Sequence, residues 1–305
     1  MTVEQTQFGV WPDAYRLSNG EAELVVTASA GPRIIRYGFV GGQNFFRVFE
    51  DGKGFNHRSK LGEWFIMGGH RLWAAPELVP GTYYPDNGPV AIEVHADGLT
   101  ATPEPETQVG LQKQFTVKMA ATGTAVEVTH RITNVGGFPV EIAAWVLSVM
   151  AQDGLGVAGF PPRGTHPEVL PPTNPLIMWA FTDFADPRLK LTQKYITLQQ
   201  DRTNSTPQKL GMFNQDLWAA YLLHGEAFLK RYQGELGKPY PDYGSCFEIF
   251  TNADFLELET LGPLTKLNPG ETLTHVEHWS LHKGVNVTEP TDAALDRALL
   301  PILAQ

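Results

Sequence analysis

Residues 113–133, KQFTVKMAATGTAVEVTHRIT, decide the fold class. Phe115, Val117 and Met119 share one face of an alternating segment, and after the ATG turn Val126, Val128, His130 and Ile132 share a face of the next. A period of two marks half-buried strands, because successive side chains on a strand point to opposite sides. Turn signals recur along the chain at SNG, VGGQN, DGKG, PDNG, HADG, NVGG and NPGE. Such signals, often about 8 to 15 residues apart, are typical of sandwiches and barrels. The pattern predicts an all-β protein of roughly 15 or more strands.

The chain has 305 residues, 42% hydrophobic and 18% charged, enough to bury a large core without disulfides or a structural metal. No fixed repeat or low-complexity linker interrupts it, so one domain over 1–305 is expected. The single cysteine, Cys246, has no internal partner, and the N-terminal residues lack a signal-peptide pattern, so a cytoplasmic location is expected. A formal net charge of −10 argues against nucleic acid and anionic membranes, both of which reward basic patches. No apolar run approaches the roughly 20 residues that span a bilayer. A small, neutral partner is expected, with no cofactor.

Two stretches depart from the strand pattern. GFPPRGTHPEVLPPTNP (159–175) holds too much proline for a core strand and predicts a long loop over the sheet. TEPTDAALDRALLPILAQ (288–305) offers Thr291 as an N-cap and Leu295, Leu299 and Ile302 at helical spacing, predicting a short C-terminal helix.

Among candidate site segments, GGHRLWAAPE (68–77) follows the apolar EWFIM. Its glycines permit close approach of backbone or ligand, and a buried Arg71 needs acceptors, with Glu63, Glu77 and Asp86 nearby in sequence. EVTHRITNVGGFPVEIAAWVLSVM (127–150) predicts a hairpin turning at Asn134–Gly137, with Trp145 on its apolar second arm. In CFEIFTNADFLELETLGP (246–263), Glu257 and Glu259 are read on one face, opposite Phe255 and Leu258, beside a Gly-Pro turn; Glu248 lies in the preceding strand. Lys209 sits close to aromatics in sequence, a setting in which a lysine can hydrogen-bond a ligand hydroxyl or cap an apolar edge. HVEHWSLH (275–282) looks like a metal cluster, yet alternation sends His275 and Glu277 to one face and His278 and His282 to the other. No metal site is expected.

With AELVVTASAGPRIIRYGF, GGHRL, ITNVGGFPVEIAAW, LELETLGP and LNPGET in that order, the chain resembles the galactose mutarotase-like, aldose 1-epimerase-related superfamily. GGHRLWAAPE and FLELETLGPLTKLNPGET most resemble its DUF4380-type bacterial branch. The resemblance implies a β-supersandwich with a sugar site on its concave face. In mutarotases a glutamate takes the anomeric proton while a histidine protonates the ring oxygen, general acid-base chemistry on a positioned sugar. Glu259 matches the base, Glu257 is its fallback, and Arg71 matches the arginine that holds sugar hydroxyls. The central hairpin reads EIAAWVLS where the acid histidine would stand, and YYPDNGPV supplies Asp86 and Asn87 where a second histidine would follow. His70 is then the remaining candidate acid. Arg71 is expected to lower the pKa of a neighbouring carboxylate, and Trp73 or Trp145 to stack a pyranose. Beside this isomerase reading stand two others. One is a non-catalytic sugar-binding protein, favoured if His70 is buried with both ring nitrogens satisfied. The other is glycoside hydrolysis or lyase chemistry, which needs a second carboxylate, Glu77 or Glu248, about 5 to 9.5 Å from the first.

Overall fold

The computed structural model describes residues 1–305. It contains 23 strands and one α-helix, and nearly all the strands belong to two large antiparallel sheets. The first sheet has eleven strands. Its path runs Thr2–Phe8, Trp11–Ser18, Ala22–Thr27, Ile34–Phe39, Gly69–Ala75, Val140–Met150, Leu256–Leu261, Phe247–Thr251, Gln208–Met212 and Leu176–Met178, with Thr265–Leu267 joined to Val140–Met150. The second has ten, in the order Leu189–Leu191, Tyr195–Gln199, Leu155–Gly159, Asp216–Leu223, Glu226–Gln233, Thr272–Lys283, Val126–Asn134, Leu111–Met119, Gly98–Pro103 and Val90–His95. A separate hairpin, Asn56–Ser59 with Gly62–Phe65, stands apart from both. The expected all-β sandwich is the observed architecture.

The alternation read in residues 113–133 appears directly as burial. Leu111–Met119 and Val126–Asn134 bury every second side chain, and they pair with Phe115 opposite His130 and Val117 opposite Val128. The expected hairpin over 127–150 does not form. Val126–Asn134 stays in the ten-stranded sheet beside Thr272–Lys283, whereas Val140–Met150 crosses to the centre of the eleven-stranded sheet between Gly69–Ala75 and Leu256–Leu261. The reason lies in the second arm: from Ala143 to Met150 both faces are buried, which suits a central strand covered on both sides. The Asn134 turn serves the crossover. Its side-chain amide donates to the carbonyls of Phe138 and Leu267, satisfying backbone that leaves the ladder.

The helix spans Asp292–Leu303. Thr291 caps it by accepting from the Ala294 N–H, and Leu295, Leu299 and Ile302 are buried against Leu155, Val157, Tyr195, Leu222 and Leu229 of the ten-stranded sheet. The helix is too short to cross a membrane. The proline-rich stretch leaves the strand Leu155–Gly159 at its first residue and carries no regular structure up to Pro175.

The central strands Gly69–Ala75, Val140–Met150 and Leu256–Leu261 of the eleven-stranded sheet are buried on both sides. Leu72, Ala144 and Val146 pack inward with Leu111, Ile132 and Leu273 of the opposing sheet. Trp73, Ala75, Ala143, Trp145, Leu147, Val149 and Leu261 face outward, where Trp64, Ile66 and Phe255 cover them. The site lies on this outward face.

Candidate functional site: an aromatic cleft floored by paired charges

Alternation on five adjacent strands brings the outward charges together. Arg71 is opposite Leu147, Leu147 opposite Glu259, and Glu259 opposite Glu248, so these residues form one row across the sheet. In the next row Val149 is opposite Glu257, Glu257 opposite Phe250, and Phe250 opposite Lys209. The Gly68-Gly69 pair lets Gly69–Ala75 enter this sheet. Both glycines have positive φ, and a Cβ would fall 2.1 Å from the Arg47 carbonyl oxygen at position 68 and 2.4 Å from that of Ile34 at position 69.

Above these rows opens a cleft of about 360 Å³. Arg71, Trp73, Glu77, Trp145, Lys209 and Glu257, six of the residues singled out in the sequence, line it. Arg71 Nη2 donates to Glu257 Oε1 at 3.0 Å, and its guanidinium lies 4.4 Å from the Trp73 ring centroid and 5.4 Å from that of Trp64. The Arg71 partner is thus a carboxylate 186 residues away and not Glu63, Glu77 or Asp86. The Lys209 ammonium lies 2.6 Å from Glu248 and 3.0 Å from Glu259, and 4.6 and 5.0 Å from the Trp179 and Trp145 ring centroids. Cation–π contacts of this kind contribute about 0.5 to 2 kcal/mol each.

Burial sets the protonation of these groups. It pushes the Glu257 carboxyl up, and the Arg71 guanidinium only partly opposes this, so the expected lowering of a neighbouring carboxylate is not the net effect. Glu248 is likewise pushed well above the usual carboxylate range, by burial against the pull of Lys209. Burial alone would lower the Lys209 ammonium, but Glu248 and Glu259 outweigh it and hold the group protonated. Of the cleft-lining groups, Arg71 Nε and Nη1 and Trp64 Nε1 are buried without a protein partner, leaving three donors for a ligand or water.

The remaining expected residues lie outside the cleft. Glu259, expected as the base, has no exposure: Trp145 Nε1 donates to its Oε2 at 2.7 Å and Lys209 covers it. Glu248 is equally buried beneath Lys209. Asp86 pairs with Arg33 at a separate place near Glu106 and Lys113. His70 alternates away from Arg71 and points between the sheets, with no exposure. Its Nδ1 meets Ser148 Oγ at 2.8 Å and its Nε2 meets His130 Nε2 at 2.8 Å, so both ring nitrogens are satisfied and no route leads to the cleft.

His70 belongs to an interior polar cluster with His130, His275, Glu277, Lys230, Ser148 and Thr260. His130 Nδ1 donates to the His275 carbonyl at 3.1 Å, which leaves His130 Nε2 to accept from His70. Lys230 and Trp279 donate to Glu277, each at 2.8 Å. Burial lowers His70 well below the ordinary histidine value, His130 to about 4 and His275 to about 3, so all three are neutral at pH 7. Burial works against the Glu277 carboxylate, yet Lys230 and the histidines hold its pKa below the usual range. His70, His130 and Glu277 bring ligand atoms within 4.8 Å of one another. The Lys230–Glu277 pair already balances the charge, so a divalent cation there would be left largely uncompensated in a low dielectric.

Sequence reading passed over Trp64, Tyr83, Trp179, Phe181, Phe250, Asn252 and Asp254, which also line the cleft, and placed Phe255 on the wrong face. Phe255 shares parity with Glu257 and lines the cleft beside it. No protein-family model matches the sequence, nor does any curated protein. Solved structures do match. A proposed aldose 1-epimerase of Klebsiella pneumoniae aligns over 99% of this chain and 87% of its own, with TM-score 0.59 and 13% identity. A proposed aldose 1-epimerase of Escherichia coli K12 aligns over 88% and 99%, with TM-score 0.53 and 15% identity. A galactose mutarotase-like protein of Lactobacillus casei aligns over 88% and 100%, with TM-score 0.56 and 11% identity. At these identities the likeness is one of architecture, and the chain has the fold of the galactose mutarotase-like, aldose 1-epimerase-type proteins.

Proposed function

We propose that this protein binds a neutral carbohydrate in the aromatic cleft, without a histidine-driven ring-opening step. The observation that carries this reading is the convergence of Arg71, Lys209 and Glu257 on the floor of a cleft walled by Trp64, Trp73, Trp145 and Trp179. Fixed donors and acceptors between indole surfaces match a sugar, whose hydroxyls need hydrogen bonds and whose C–H faces need apolar contact. The lining carries Arg71 and Lys209 against Glu77, Asp254 and Glu257, a balance that disfavours sugar phosphates and uronates. The solved relatives named as epimerases and mutarotases are consistent with a sugar as ligand.

A second reading, anomer interconversion, draws on Glu257. Its raised pKa moves it towards neutrality, where a general base works best. The proton donors lining the cleft are the Lys209 ammonium and the Tyr83 hydroxyl, and both hold their protons more firmly than usual. Burial and Glu77 raise Tyr83, while Glu248 and Glu259 raise Lys209 against burial. Weak acids give little help to ring opening, which favours the binding reading.

Titration of tryptophan fluorescence with a panel of hexoses, pentoses and their methyl glycosides tests the first reading. The expected result is a saturable change with at least one sugar that Arg71→Met weakens tenfold or more; no response across the panel sinks it. Polarimetry on freshly dissolved aldoses tests the second. A rate above buffer that Glu257→Gln abolishes, with sugar affinity kept within tenfold, would favour the enzyme, and a rate equal to buffer would exclude it.

A further inference from the structure

We infer that the ligand of this cleft is a glycoside carrying a neutral, planar apolar aglycone, with its sugar on the charged floor and its aglycone against Phe55 and Phe181 at the mouth. This rests on the carbohydrate reading and adds the substituent at the anomeric position.

The lining is ordered by depth. Arg71 is 3% exposed, and Lys209 and Glu257 are each 7% exposed, so the hydrogen-bonding groups lie at the bottom. Phe55 is 60% exposed and Phe181 41%, so two rings with no hydrogen-bonding atoms stand at the opening. Phe250 and Phe255 continue the apolar wall: the Phe181 and Phe250 centroids are 6.5 Å apart, and those of Phe250 and Phe255 are 5.9 Å apart. One face of each indole walling the floor is already covered, Trp64 and Trp73 by Arg71 and Trp145 and Trp179 by Lys209. The floor therefore holds its ligand mainly through hydrogen bonds, and the open aromatic surface is concentrated above it.

A free monosaccharide would use the floor and leave that upper surface wet. A cleft of about 360 Å³ falls within the range of about 300 to 1,000 Å³ that accommodates larger ligands than one ring. An aryl group on the anomeric oxygen would extend from the floor to the phenylalanines and remove both surfaces from water. The acids at the mouth, Glu77 and Asp254, are exposed and oppose a negative aglycone, which selects a neutral ring. A glycoside so substituted cannot open its ring, in keeping with a cleft whose lining contains no histidine.

Calorimetric titration of the full chain with matched methyl and phenyl glucosides and galactosides, in both anomers, and with phenol alone provides the test. The expected result is a phenyl glycoside bound at least tenfold more tightly than its methyl partner, with a 4-carboxyphenyl glycoside weaker than the phenyl one. Phe181→Ala, and separately Phe55→Ala, should reduce the phenyl-to-methyl ratio to below threefold; both side chains are exposed, so the variants should fold. Equal affinities for a methyl glycoside and its phenyl partner would overturn this inference while leaving sugar binding intact. Phenol binding as tightly as the phenyl glycosides, with no response to any methyl glycoside, would overturn the carbohydrate reading itself, as would silence from every compound.

Discussion

Lys209→Met probes the cleft floor through stability, independently of any ligand. The wild-type ammonium is 7% exposed and lies 2.6 Å from Glu248 and 3.0 Å from Glu259, two carboxyls with no exposure. Methionine keeps an unbranched stem and removes the charge, so the loss measured is chiefly that of ion pairing and not of a cavity. Removing one partner of a buried pair costs about 3 to 5 kcal/mol, because the other is left uncompensated. Two carboxyls are stranded here, but burial already holds Glu248 well above the usual range, so it takes a proton readily, and Trp145 still donates to Glu259 at 2.7 Å. A loss of about 4 kcal/mol follows. With a melting entropy of about 2.1 cal/mol/K per residue, that is a fall in Tm of about 6 °C for 305 residues. The pH dependence has a definite sign. A buried carboxyl with a raised folded pKa binds more protons folded than unfolded, so the variant loses stability as pH rises above the unfolded carboxylate value of about 4.3. The deficit against wild type should therefore be larger at pH 8 than at pH 5. Urea unfolding at both pH values measures it, and a deficit below about 1 kcal/mol at pH 8, or one that grows towards acid, refutes the pairing argument.

Three further outcomes follow from the same geometry. Trp145→Phe removes one of the two donors to Glu259 Oε2, leaving Lys209, while Oε1 already lacks a protein partner, so urea unfolding should show a loss of about 1 to 3 kcal/mol with an unchanged m value; a change under about 0.5 kcal/mol would show that the bond contributes nothing. Gly69→Ala sets a Cβ against the Ile34 carbonyl at φ +70°, and should destabilise by more than the roughly 1 kcal/mol of a glycine replaced in relaxed backbone; a neutral thermal shift would contradict it. His130 has a folded pKa of about 4 against an ordinary 6.5, so the unfolded chain binds the extra proton between those values and stability falls with acid, by about 3 kcal/mol once pH 4 is passed. In His130→Gln that share of the acid loss should vanish, so the variant and wild-type curves converge as pH drops from 7 to 4; parallel curves would rule out His130 as the source.

The fold was legible because alternation survives wherever one side of a strand meets the core. Residues 113–133 show this: Phe115, Val117, Val128 and Ile132 are all buried, as their spacing requires. The same rule failed at Val140–Met150 because that strand is covered on both faces, and a run buried on both sides has no period to read. Local punctuation was also insufficient there. NVGG serves a two-residue reversal as readily as a crossover between sheets, and only the company of Gly69–Ala75 and Leu256–Leu261 decides which.

The site turned on parity and on long-range partners, and the two are unequally visible. Arg71 and His70 are adjacent in sequence, but a strand sends neighbours to opposite faces, so a cleft that takes Arg71 must lose His70 to the interior. That separation was available from the period alone and argues directly against a joint role for the two. The choice between Glu257 and Glu259 was not available, because both face outward and only the cover above them differs. Glu259 lies under Lys209 and Trp145, brought by strands 50 and 114 residues away, whereas Glu257 is met by Arg71 and stays open to the cleft. A base must reach its proton, so position along a motif is weaker evidence for that role than the presence or absence of a side chain overhead.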